Sequence, residues 1–368
     1  MKVNKISVSG FRNIESAEVG FCDGVNLLLG DNAQGKTNLL EAIYYMSLGK
    51  SFRGAAEVEM IGFGKDFASV SLDFSDSLRE QNLTVRISRD KRRKFEQNGV
   101  KIFKMSDIVG ALRAVLFSPD NLSLIKDGPS ERRNWLDVAI CQSRPVYMQA
   151  LSRFNKILKQ RNKLLKEAEE DRKTFDDTIG FWSEQLARES TFLTGFRNSY
   201  TVAAGGDVAR FFSEMTGDNE TPVLRYVSSC KLDTEGCRNE AEVFEAYSRL
   251  LTSNLEREIA VGSTLWGAHK DDIDITLNGK SARDYASQGQ QRSLALAMKL
   301  AEGEICKRDC GEYPVFLLDD VLSELDTKRR AYLLGEISGR QVIMTGCDDM
   351  STGSANVIRV EGGTYLKI

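Results

Sequence analysis

Gly30-Asp31-Asn32-Ala33-Gln34-Gly35-Lys36-Thr37 is a complete G-x-x-x-x-G-K-T stretch, and no other feature constrains the fold of this chain as strongly. The apolar run Val25 to Leu29 ends at Gly30, and Leu40, Ile43 and Ser47 follow at helical spacing over 37–48. A buried strand that feeds a glycine loop and then a helix is the context a phosphate-binding loop requires. Glycines let backbone N–H groups wrap an anion, and the helix start adds its positive dipole end. In such a loop Lys36 reaches the β- and γ-phosphates of a nucleotide, and the Thr37 hydroxyl ligates Mg²⁺.

A phosphate loop needs a carboxylate for the metal, and Val315-Phe316-Leu317-Leu318-Asp319-Asp320 supplies one at the end of a second apolar strand. Asp319 takes the Mg²⁺ position, and Asp320 stands where a general base would orient the attacking water. About thirty residues earlier, Ser287-Gln288-Gly289-Gln290-Gln291-Arg292 opens a helix with Leu294, Ala297 and Ala301 at core spacing. Ser287, Gly289 and Gln290 suit a helix start that binds an anion, although an ordinary N-cap explains the hexapeptide alone. Ser323-Glu324-Leu325-Asp326 follows the second strand directly. Phosphate loop, S-x-G-Q, carboxylate strand and D-loop in this order form the ABC-ATPase arrangement.

Asp319 lies 283 positions after Lys36, a gap with room for an inserted domain. The first part reads as strands: Val70, Leu72 and Phe74, then Leu83, Val85 and Ile87, alternate, and Asn98-Gly99 offers a tight hairpin turn. The middle reads as helices, with Leu151, Phe154, Leu158 and Leu165 in one stripe and Trp182, Leu186, Leu193, Phe196 and Tyr200 in another after Gly180. Each stripe is expected to span only a few turns. A third helix is expected from Glu242 to Ala260. Alternation at Ile273, Ile275 and Leu277 and a strand at Val342 to Met344 return the chain to α/β. The expected fold is an α/β ABC-type P-loop head, with a mixed sheet and a β-rich sublayer, interrupted by a compact helical lobe. The expected boundaries are 1–115 and 263–368 for the head and 116–262 for the lobe.

Gly10 to Asn13 (GFRN), GDNAQGKTN, Ser118 to Asp137 (SPDNLSLIKDGPSERRNWLD), Gly267 to Asp272 (GAHKDD), SQGQQR and LLDDVLSELD together resemble the RecF family of bacterial recombination mediators along essentially the whole chain. The resemblance implies ATP-dependent homodimerisation, in which the signature of one subunit closes on the nucleotide of the other. It implies DNA binding by the dimer and DNA-stimulated ATP hydrolysis; the short Asp320 side chain suggests that hydrolysis is slow, and with no base-reading pattern the binding is expected to be sequence-independent. It also implies a task with RecR, RecO and RecA: directing RecA loading at gapped or damaged DNA in recombinational repair, replication restart and SOS induction. Arg12 matches an arginine that contacts nucleotide in related heads. Three departures stand out. Asp320 replaces the glutamate common after the metal carboxylate, Val342 to Asp348 holds no switch histidine, and Ser118-Pro119-Asp120 stands where a Q-loop is expected. The only histidine, His269, reads as structural.

With 50 basic and 53 acidic residues, the chain can bind DNA only through local patches. The hairpin cluster Arg86, Arg89, Lys91, Arg92, Arg93 and Lys94 is one candidate, with Arg92, Arg93 and Lys94 as its expected contacts. Arg132 and Arg133 form a second, and Lys156, Lys159, Arg161 and Lys163 a third. Any of them also reads as a solvated face. No run approaches the roughly 18 apolar residues of a membrane span. Seven scattered cysteines without CxxC spacing suggest reduced thiols, so a cytoplasmic protein is expected. A Rad50- or SMC-like DNA tether would need long heptad arms, and a transporter ATPase would have a shorter gap between its motifs.

Overall fold

Three adjacent parallel strands bring the two motif regions together. The computed structural model describes residues 1–90, 93–217, 220–231, 239–347 and 355–368. The strands are β1 (Lys2–Phe11), β2 (Ile14–Gly20), β3 (Val25–Leu29), β4 (Phe67–Ser75), β5 (Glu80–Ser88), β6 (Arg93–Gln97), β7 (Val100–Ile102), β8 (Ala114–Phe117), β9 (Pro222–Val227), β10 (Asp272–Leu277), β11 (Lys280–Ser281), β12 (Val315–Leu318), β13 (Val342–Gly346), β14 (Asn356–Glu361) and β15 (Thr364–Lys367). The helices are α1 (Lys36–Leu48), α2 (Ser123–Lys126), α3 (Pro129–Ser143), α4 (Pro145–Glu167), α5 (Arg172–Thr216), α6 (Glu240–Ser253), α7 (Leu255–Val261), α8 (Ala282–Tyr285), α9 (Gln288–Cys310) and α10 (Thr327–Glu336).

The chain divides into two units. The first comprises Met1–Leu122, Glu214–Gly217 and Ala295–Ile368. Its main sheet has the order β15-β14-β3-β13-β12-β8, parallel except for the edge strand β15. β8, β12 and β13 are buried at every position, as expected for strands covered on both faces. The second sheet, β2-β1-β4-β5-β6-β7, is antiparallel and buries one face at period two: Ala68, Val70, Leu72 and Phe74 point inward, as do Leu83, Val85 and Ile87. α1 packs against β1 and β4 of this sheet and against β8 and β13 of the other. Enclosed on both sides, it is buried around nearly its whole circumference, including the fully buried Glu41.

The second unit comprises Ser123–Ser213 and Asp218–Leu294. Both expected boundaries of the lobe shift. Residues 116–122 belong with the head, because Leu116 and Phe117 pair with Leu317 and Leu318 in the parallel ladder. Residues 263–294 belong with the lobe, because β10 pairs with β9 along its length and Arg132 grips Asp272 through both carboxylate oxygens. The second helical stripe does not start after Gly180: α5 is continuous for 45 residues, roughly 67 Å at 1.5 Å per residue. The expected third helix is two, α6 and α7, separated at Asn254.

The segments that carry the resemblance outside the nucleotide motifs tie this unit together. Asp271, fully buried, accepts bonds from Thr194 Oγ1 (3.0 Å), Tyr226 Oη (2.6 Å), Tyr247 Oη (3.0 Å) and the Ser229 amide (2.7 Å). Arg197 holds Asp137 and donates to the Ala268 carbonyl. Arg133 donates to the Asp271 carbonyl, and the fully buried Arg161 joins Glu258 (2.6 Å), Ser183 and Thr264. Arg132, Arg133 and Arg161 are therefore structural ties rather than phosphate contacts. Breaking one side of a buried pair such as Arg161–Glu258 costs about 3–5 kcal/mol.

His269 sits in the same region against the Phe154 ring. Its Nε2 lies 3.1 Å from the Thr264 carbonyl, which can only accept, so the ring proton is on Nε2; the buried Nδ1 has no partner. Burial lowers its pKa from 6.5 to about 4. As pH falls, the unfolded chain therefore takes up this proton first, and stability declines between about pH 6.5 and 4, by up to ~3 kcal/mol. The three tryptophans, Trp135, Trp182 and Trp266, all lie in this unit and report its unfolding. Their urea midpoint should fall more steeply with acidification in the native chain than in His269→Gln, and equal pH dependence in the two would refute the assignment.

Candidate functional site

The C-terminal ends of β3, β13 and β12 lie side by side, the position where open α/β sheets bind ligands. Gly30 follows β3 so close to β14 that a Cβ there would lie 2.3 Å from the Val360 carbonyl oxygen, which only glycine permits. Gly35 has φ +116°, and a Cβ on it would crowd Asn13 and the Tyr365 hydroxyl at 3.0 and 3.1 Å. Ala33 between them is also left-handed. The loop of Gly30, Asp31, Asn32, Ala33, Gln34 and Gly35 thus curls its amides into an anion-binding nest at the start of α1, whose first amides have no intrahelical acceptor. The hairpin of β14 and β15 buttresses it: the amides of Gly362 and Gly363 bond to Gln34, and Tyr365 Oη donates to the Gly35 carbonyl.

Lys36 is buried, and its Nζ donates to the carbonyls of Gly30 and Gly346 and to Cys347 Sγ. A phosphate oxygen offers that ammonium a stronger, charge-assisted partner. Thr37 Oγ1 donates to Asp319 Oδ1 at 2.8 Å, joining residues 282 positions apart. Thr345, on β13, sits between the two carboxylates, its Oγ1 3.2 Å from Asp319 Oδ1 and 3.1 Å from Asp320 Oδ1 while accepting the Asp320 amide. Burial pushes the Asp319 carboxyl above its ordinary value, the Thr37 hydroxyl pulls it back, and the Asp320 charge adds to the rise. A hydroxyl beside a carboxylate is a pair of hard oxygen donors of the kind that suits Mg²⁺. Thr37 and Asp319 fit that ion.

Lys36 and Thr37 face a cleft of about 710 Å³ that also has Arg12, Asn13, Asn32, Arg53, Phe63 and Asp320 in its wall. Arg12, expected as a nucleotide contact, lies in the wall, and its guanidinium is bidentate on the buried Glu41 (2.9 and 2.7 Å) and donates to the Glu59 carbonyl. Its first task is to neutralise Glu41 and fix the wall. Ser118 follows β8, and its amide bonds to Asn121 Oδ1 in a tight turn.

Ser287 and Gln290 form a reciprocal capping box: the Gln290 amide donates to Ser287 Oγ (3.2 Å), and Gln290 Oε1 accepts the Ser287 amide (2.6 Å). The N-cap reading is therefore real, and it leaves the amides of Gln288 and Gly289 without intrahelical partners. Gln290 also donates to Glu220. Ser287, Gly289 and Gln290 belong to the second unit, whereas every residue lining the cleft belongs to the first.

The basic hairpin contributes less than its sequence suggests. Arg93 is paired with Glu57, Arg89 donates to the carbonyls of Lys65 and Gly62, and Arg86 lies over the Phe67 ring. Lys94 is exposed, and Lys91 and Arg92 lie outside the described residues. Sequence reasoning passed over the β14–β15 hairpin, which Gly362-Gly363 between alternating apolar residues signals. It also passed over Thr345 and Phe63, for which no local pattern exists.

The family model described as "RecF/RecN/SMC N terminal domain" matches residues 2–361. Relatives described as "DNA replication and repair protein RecF" include one from Thermoanaerobacter sp. (strain X514), 35% identical, and one from Staphylococcus carnosus (strain TM300), 36% identical, each match spanning 100% of both chains. The solved structure of a recombination mediator RecF with ATP in the RecFOR pathway superposes with a TM-score of 0.94 at 34% identity, over 100% of this chain and 97% of that one. An Smc head domain from Pyrococcus furiosus shares the fold, with a TM-score of 0.57 at 17% identity. No described helix is long and apolar enough to cross a membrane. With full-length relatives above 30% identity and the superfamily model matched almost end to end, the chain belongs to the RecF family of SMC-type ABC ATPases.

Proposed function

We propose that this protein is an ATP-driven switch on DNA, a slow, DNA-stimulated ATPase that homodimerises around nucleotide and, with RecR and RecO, directs RecA loading at gapped or damaged DNA in the cytoplasm. The observation that carries the reading is the Thr37–Asp319 contact, with Asp320 in the same cleft. The nest and Lys36 bind the phosphates. Thr37 and Asp319 would hold Mg²⁺, which would supply charge neutralisation at the nucleotide phosphates. Asp320 orients the attacking water and accepts its proton. Its carboxylate is one methylene shorter than a glutamate's, consistent with slow turnover. The helix start at Ser287–Gly289 meets the γ-phosphate held by the partner's Lys36. The alternative of an SMC-like tether gains little from α5, which buries Phe175, Leu186, Leu193 and Phe211 instead of extending as a free arm.

DNA phosphates are met by exposed cations: Lys94 with Arg93 on the hairpin, and Lys156, Lys159 and Lys163 along one face of α4; the Arg92 contact expected from the sequence lies outside the described residues. Light scattering should give a dimer mass with ATP and gapped DNA and a lower mass without ATP; the same monomer mass in both would sink the switch. Neutralising Lys156, Lys159 and Lys163 together should flatten the log–log salt dependence of DNA binding by roughly 2–3. An unchanged slope would leave the hairpin as the DNA contact.

A further inference from the structure

Phe63 is fully exposed, with a relative accessibility of 104%, yet it lines the same cleft as Lys36, Thr37 and Asp320. Single exposed apolar residues are common on protein surfaces; what sets Phe63 apart is its place, as the aromatic residue in the lining of this cleft, with its ring free to meet a ligand. Its backbone, in contrast, is fixed on both sides. The Gly62 amide donates to the Gly10 carbonyl (2.8 Å), and the Gly62 carbonyl accepts from the Lys65 amide and the Arg89 guanidinium. A Cβ on Gly62 would come to 3.0 Å from the Arg12 carbonyl oxygen and 3.2 Å from the Gly10 carbonyl oxygen, so a larger residue would have to push this backbone aside. Arg12 ties the preceding segment through the Glu59 carbonyl.

The rest of the wall is charged or polar, apart from Ile61, Ala33 and Gly35. A ligand that fills this cleft must therefore carry an anionic end for the nest and a flat apolar end for the ring, and a nucleotide has both. We infer that Phe63 is the base platform of the site, stacking on the purine of the bound nucleotide. This rests on the nucleotide reading given above and specifies where the base lies. A stack recognises the π-face and not the hydrogen-bonding edge, so it favours purines over pyrimidines by ring area and separates ATP from GTP weakly.

The test measures affinities of the full-length protein for ATP, GTP, CTP and inorganic tripolyphosphate. Phe63→Ala should weaken ATP and GTP by a similar factor, roughly tenfold, weaken CTP less, and leave tripolyphosphate unchanged. Phe63→Tyr should restore ATP binding. In Phe63→Trp, ATP should quench fluorescence beyond the change seen in the native protein, and tripolyphosphate should not. Unchanged ATP affinity in Phe63→Ala overturns the platform. So does an equal loss for ATP and tripolyphosphate, which would make Phe63 a support for the loop. If the native protein binds neither ATP nor tripolyphosphate, the nucleotide reading fails instead.

Discussion

Asp320→Asn should slow ATP turnover by about 10² or more, roughly 3 kcal/mol of barrier, while nucleotide still binds. The substitution is nearly isosteric. Asp320 sits at φ +51°, a conformation that asparagine tolerates as well as aspartate, so the backbone is not strained by the change. Its Oδ1 accepts from Thr345, and an amide oxygen can do the same. The Thr37–Asp319 pair and the nest are untouched. What disappears is the basicity that, on the proposed mechanism, receives the proton of the attacking water. Binding and chemistry should therefore separate: fluorescent-nucleotide affinity stays near the native value, steady-state phosphate release collapses, and the dimer persists on DNA after ATP is added. Release at the native rate would assign water activation to a different group.

The nucleotide half of the site was legible because its chemistry is local. Gly30, Gly35, Lys36 and Thr37 are neighbours in sequence, and Asp319-Asp320 follows four apolar residues whose place after the S-x-G-Q helix identifies them as the carboxylate strand. The same locality gave the Asn98-Gly99 turn, where both residues have positive φ. Long-range pairings were not legible. Arg132, Arg133 and Arg161 looked like solvent-facing cations because their partners lie at Asp272, Asp271 and Glu258, about a hundred residues or more downstream. The lobe boundaries failed for the same reason: β8 reads as head only once it pairs with β12, and β10 as lobe only once it pairs with β9. α5 was cut short at Gly180 because glycine is a poor helix former, and tertiary burial of its neighbours overrode that local preference. Phe63 carries no pattern at all; only its exposure inside a cleft marks it.

Ser287→Arg should leave ATP binding by the monomer nearly intact and abolish ATP-dependent dimerisation. Two effects compete in this variant, and their sizes decide the reading. Ser287 caps α9, and losing a serine cap costs about 1 kcal/mol, too little to unfold a helix whose Leu294, Ala297, Met298 and Ala301 are buried. Ser287 itself is exposed, so the longer side chain has room in the free protein. In a closed dimer that room is gone, because the α9 start would have to meet the phosphates on the partner's Lys36. Bulk at residue 287 then blocks closure without touching Lys36 or Thr37 of its own chain. Lys36→Ala is the complementary lesion: losing charge-assisted contacts to the phosphates should weaken ATP binding by about 10–10²-fold and also prevent dimerisation. In an equimolar mixture, the mixed dimer has one site carrying both lesions and one intact site. Partial ATPase or dimerisation should reappear there while each variant alone remains inactive. The single-variant binding result carries the greater weight, because recovery also requires that one intact site suffice for closure. If Ser287→Arg loses ATP affinity as a monomer, the S-x-G-Q helix serves the nucleotide of its own chain, and dimerisation around ATP is the wrong mechanism for this protein.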